Sequence, residues 1–124
     1  MRDEIITLGI LFLLIGFFVF TSHTINSGSK KLSQAIQKAE DAAYNSDDAK
    51  EEFEKAKKVW QKEKKALFYI CGHSMIMDID ENMELGCEYI KDGDEEKAVL
   101  HFKKAQILLK DLTEREKIRL DNIF

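Results

Sequence analysis

The sequence predicts an all-α protein: an N-terminal transmembrane helix followed by a small antiparallel three- to four-helix bundle. Three observations predict it. Proline is absent from all 124 residues and glycine occurs only six times, a composition suited to helices. The stretch Ile5–Phe20, IITLGILFLLIGFFVF, carries no charge and has Thr7 as its one polar side chain. Beyond it, apolar residues recur at three- and four-residue spacing among Lys, Glu and Asp, the mark of helices with one buried face.

Widened to Ile25, the apolar stretch gives about 20 residues without a charged side chain, close to the ~30 Å of a bilayer core at ~1.5 Å per residue. A cleaved signal needs a basic start and a small-residue cleavage site. Met1–Glu4 instead offers one basic residue against two acids, and no Ala-x-Ala follows. Ser27-Gly28-Ser29 is the one stretch small enough for cleavage, and a retained anchor is the preferred reading. Gly9 and Gly16 share a helix face and mark a potential packing surface, while His23 falls at the membrane interface. Arg2 against Lys30, Lys31 and Lys38 favours a cytoplasmic domain. The short tail before the apolar run resembles a signal anchor, and an extracytoplasmic domain is the reading adopted. The plan is a membrane anchor over 1–25, a hinge over 26–29, and a soluble helical bundle over 30–124.

Asn26-Ser27-Gly28-Ser29 is read as that hinge because Gly and Ser loosen a helix. Leu32, Ala35 or Ile36, Ala39 and Ala43 then form a narrow, alanine-rich stripe. Asn45–Asp48 reads as a turn followed by a helix cap. In the next helix Phe53, Ala56, Trp60, Leu67 and Ile70 keep the spacing, broken at Glu63. Trp60, the one tryptophan, is expected to anchor the core, with ligand stacking the lesser alternative. Cys71–Ser74 is read as a turn, with Gly72 ending one helix and Ser74 capping the next, and a continuous helix with a local kink as the competing reading. Ile76, Ile79, Met83, Gly86 or Cys87, and Ile90 give a third stripe, and Asp92-Gly93-Asp94 a second turn. Ala98, Phe102, Ala105, Leu109 and Leu112 give the last, with Leu108 and Leu120 at its margin.

Composition also excludes. Charged residues are 34% of the chain, yet the signs are interleaved and the net charge is −4. No basic face exists for nucleic acid. Cys71 and Cys87 would stand about 24 Å apart on one helix, far beyond disulfide reach, so free thiols are expected. The one concentration of potential metal ligands is Asp78, Asp80, Glu81, Glu84 and Glu88 with His73. It lacks the paired Glu-x-x-His pattern of di-iron bundles and the glycine of a calcium loop, and a solvated acidic face is the simpler reading. Cys71 and His73 lie two apart, pointing differently on a helix, without an orienting third group. His101 sits beside Phe102 on a helix flank. No phosphate loop, nucleophile elbow or dinucleotide fingerprint occurs. No catalytic residue, cofactor-binding residue or metal ligand is assigned, no cofactor is expected, and an enzyme is not.

Some of these residues also carry a resemblance. The N-terminal span ends in His-Thr-Ile-Asn-Ser, His23 to Ser27. A helix with a central tryptophan and a lysine run follows, Trp60 to Lys65. Then come His73, Ser74, Ile76 and Ile79, and the chain closes on Asp121-Asn122-Ile123-Phe124. Together they resemble DUF4363, a family of small bacterial single-pass membrane proteins of unknown function found mainly in spore-forming Firmicutes. The resemblance implies no site residues. It does imply a membrane partner, since such genes often lie beside a small multi-spanning membrane family. The apolar C-terminal pair is expected to dock back on the bundle.

The function expected is that of a non-catalytic, membrane-anchored accessory or interaction protein. Its partners would be the lipid bilayer and another integral membrane protein, not nucleic acid. The alternative is a membrane-tethered ligand or metal sensor using the acidic helix His73–Glu88.

Overall fold

The apolar stripes become four helices in a computed structural model that describes residues 1–45, 48–70 and 73–123. They are α1 (Arg2–Asn45), α2 (Ala49–Ile70), α3 (His73–Lys91) and α4 (Glu95–Ile123), with no strand among the described residues. Each packs on its neighbour in the chain, and α4 closes on α1. Short connections make successive helices antiparallel, giving an up-down-up-down bundle.

Every helix supplies its predicted stripe. Leu32, Ile36 and Ala39 of α1, Phe53 and Ala56 of α2, Ile79 and Met83 of α3, and Phe102 and Ala105 of α4 are all 0% exposed. Burying such side chains is worth about 1.5–3 kcal/mol for each large one, and supplies most of the helices' stability. Phe53 and Phe102 stack across the centre with ring centroids 4.2 Å apart. Gly86 is buried because α3 and α4 close there: a Cβ would collide with the Phe102 ring. Leu108 is partly buried at the margin. The side chains of Ile70, Leu120 and Ile123, together with Ser46, Asp47, Cys71, Gly72 and Phe124, lie outside the described residues. The expected docking of the C-terminal pair and the Gly72 helix end fall there too.

The turn between α3 and α4 is built as its residues demand. Gly93 takes φ +83°, a left-handed conformation that costs glycine little. The Asp94 N–H donates to the Tyr89 carbonyl at 2.9 Å and the Gly93 N–H to that of Ile90 at 3.2 Å, which ends α3 in a Schellman motif. Asp94 then caps α4, its Oδ1 accepting from the Lys97 N–H at 3.1 Å.

Two expectations are corrected. Ser74 is not a cap but stands inside α3, which begins at His73. The joint at 26–29 does not form, for α1 runs unbroken for 44 residues through it. Packing overrides propensity here. A helical glycine costs about 1 kcal/mol, but Ile25 and Leu32 bury on either side and Gly28 itself is buried. Glu63, the break in the α2 stripe, lies against Gly28: its Oε2 would be 2.8 Å from a Cβ. The acidic break and the glycine accommodate each other.

Candidate functional site

α1 divides into a bare N-terminal part and a part that belongs to the core. From Ile25 onward the stripe 25, 32, 39 belongs to the core, and Phe18 and Thr21 extend it one further heptad down. That extension was readable as a seven-residue repeat, but it was hidden inside a stretch apolar on every side. N-terminal to Phe18 nothing among the described residues covers the helix. Phe12 is 73% exposed and Leu13 75%, and the apolar residues from Ile5 to Ile15 are exposed throughout. The helix is long and apolar enough to cross a membrane. Among the described residues, nothing beyond the helix's own neighbouring backbone lies within 4 Å of a Cβ built on Gly9 or Gly16.

The acidic set on α3 does not converge. Asp80 turns inward: its Oδ1 accepts from Trp60 Nε1 at 2.8 Å and from Lys64 Nζ at 3.1 Å. Trp60 is 1% exposed, so the indole is a core anchor with no open face for a ligand to stack on. Asp78, Glu81, Glu84 and Glu88 are exposed. His73 stacks on Phe68, centroids 4.1 Å apart. Among the described residues no three His, Cys, Asp or Glu side chains are arranged to hold a metal ion.

The remaining candidates are packed into the bundle. His101 lies on the flank of α4, its Nδ1 3.0 Å from Asn82 Oδ1 and its ring stacked on Tyr89. Burial lowers its pKa, helped by Lys104 and opposed by Glu81. Cys87 is buried and free, its Sγ donating to the Phe53 carbonyl at 3.4 Å. Burial, with Glu54 adding to it, pushes that thiol up to about 11, so it is a poor nucleophile at neutral pH. Cys71 lies outside the described residues.

Two features carried no sequence signal. Glu40 stands on the α1 core face, 5% exposed, and its Oε1 has no hydrogen-bond partner among the described residues. Burial raises its pKa against the lowering pull of Lys103. It falls one position after Ala39 in the heptad and reads from sequence as a flank residue. The other is a groove of 990 Å³ between α1 and α2, lined by Lys31, Lys38, Lys58 and Lys62 together with Asp41 and Glu52. Charges of both signs line it, so it presents no uniform field to a ligand.

The fold and these positions can be set against known proteins. A family model described as a domain of unknown function, DUF4363, matches residues 19–123. The matched region begins where Phe18 and Thr21 join the core and takes in the whole bundle. No curated protein and no solved structure matches the chain.

Proposed function

The chain belongs to the DUF4363 family, and from that premise we propose that it is a non-catalytic accessory protein holding a helical bundle at a membrane. In this reading Ile5–Phe20 is a retained single-pass anchor, the bundle is extracytoplasmic, and the partner is another integral membrane protein. One observation carries it: the apolar half of α1 is bare, while the same helix enters the bundle core without a break. So large an apolar surface is not left in water, and a bilayer satisfies it while the helix satisfies its own backbone. The short tail before the apolar run, like that of a signal anchor, supports the orientation. The resemblance to a family whose genes accompany a multi-spanning membrane family supports the partner.

The test uses the full chain in native membranes. It should resist alkaline carbonate extraction, and removal of residues 1–20 should release it. Tagged at the C-terminus and captured in mild detergent, it should bring down the same integral membrane protein in repeated preparations. Extraction by carbonate sinks the anchor, and repeated capture of the chain alone sinks the partner. In a chain lacking Cys71 and Cys87, an impermeant thiol reagent should label Lys50→Cys on intact cells, and protection there reverses the orientation.

A further inference from the structure

The geometry points to a second membrane contact: the end of the bundle formed by the last turns of α2 and of α4, around Tyr69 and Ile118, rests in the lipid headgroup layer. This rests on the reading of α1 as an anchor and goes beyond it.

Levels along the bundle carry the argument. Gly28 of α1 lies against Glu63 of α2. Seven residues onward, α2 ends at Ile70, and seven residues back, antiparallel α1 reaches Thr21, both about 10 Å away along the axis. On the other side, Lys117 and Asp121 of α4 share a 250 Å³ crevice with Phe18 and Ser22 of α1. Both structures therefore end level with residues 18–22. The apolar run Ile5–Phe20 covers about 24 Å, most of a hydrocarbon core of about 30 Å. Residues 18–22 then stand at the edge of the hydrocarbon, and the bundle end lies at the headgroups with them.

The side chains at that end fit the layer. Tyr69 is 89% exposed, Ile118 61% and Phe68 38%, and Lys65 and Lys117 are exposed beside them. Aromatic rings and lysines are the side chains that settle at a membrane–water interface. The opposite end, by contrast, carries Asp92, Asp94, Glu95 and Glu96 around its turn. The bundle sits flush on the bilayer, not on a stalk.

The test places the full chain in vesicles of phosphatidylcholine with a minor share of phosphatidylglycerol. The background is Cys71→Ser. Cys87 stays unlabelled at pH 7, because its thiol is buried and titrates at about 11. Single cysteines at the exposed positions Phe12, Tyr69, Ile118 and Glu96 each receive an environment-sensitive fluorophore, and circular dichroism verifies each fold. Phe12→Cys should be quenched by a nitroxide deep in the acyl chain. Tyr69→Cys and Ile118→Cys should be quenched severalfold more than Glu96→Cys by a nitroxide at the headgroup or just below it. If both match Glu96→Cys while Phe12→Cys is quenched, the contact is overturned and the anchor stands. If Phe12→Cys is also unquenched, the anchor falls and the contact with it.

Discussion

Trp60 and Asp80 are joined by a hydrogen bond of 2.8 Å that ties α2 to α3, and Lys64 shares the same carboxylate oxygen at 3.1 Å. The indole is buried, so its N–H depends on that one acceptor. Asp80→Ala should cost about 1–3 kcal/mol, the penalty of leaving a buried donor unpaired. Asp80→Asn keeps an acceptor in place and should lose less. Denaturant unfolding followed by tryptophan emission measures both, and equal losses would show that the acceptor is not what matters.

Two glycines on buried faces should respond oppositely to alanine. At Gly86 the added methyl meets the Phe102 ring, itself held by Phe53, and the core must yield. Gly86→Ala should cost about 1–3 kcal/mol by overpacking. At Gly28 the methyl meets only the mobile end of Glu63. Gly28→Ala should then stabilise by about 0.5–1 kcal/mol, the propensity gain inside a helix. Thermal unfolding reads both signs, and a loss at Gly28 would contradict a continuous α1.

Glu40 gives the fold a pH dependence of defined sign. Its carboxyl is raised above its ordinary 4.5 by burial, so the folded chain holds that proton more tightly than the unfolded chain. Stability from this residue is greatest near or below 4.5 and declines as pH rises through the folded value. Glu40→Gln removes the buried charge. The variant's melting temperature relative to the native chain should be highest at neutral pH and should fall as pH approaches 4.5. A difference independent of pH would show that Glu40 does not titrate in that window.

Cys87 should report unfolding. Its thiol is buried, bonded to the Phe53 carbonyl, and pushed up to about 11. In a Cys71→Ser chain, a thiol reagent at pH 8 should react only at the rate of local or global opening. Immediate stoichiometric labelling without denaturant would contradict the buried placement.

The core was legible because it depends on spacing alone. Phe53–Ala56–Trp60, Ile76–Ile79–Met83 and Ala98–Phe102–Ala105 repeat at three and four, and all nine side chains are buried. The turn at Gly93 was legible because glycine between two aspartates has few other uses. What escaped depends on pairs distant in sequence. Gly28 reads as a loosening residue until Glu63 is placed beside it. Asp80 reads as one more acid of a solvated face until Trp60 supplies its donor. Glu40 reads as a flank, since one position in a helix is a turn of about 100° and the stripe's width is set by the neighbouring helices. The candidate site was half legible: the apolar stretch declared itself, whereas its fusion to the bundle did not.

That fusion fixes an angle. At about 100° per residue, Ile25, Leu32, Ile36 and Ala43 lie within roughly 20° of one direction around α1. Counted back along the same rod, Gly16 and Gly9 fall about 160–180° away from it. With α1 continuous through 26–29, the bundle stands behind the glycine face and not over it. A helix drawn to those glycines meets an unobstructed side. Rolling α1 in its seat swings the whole bundle by the same angle, as a key turns with its shaft.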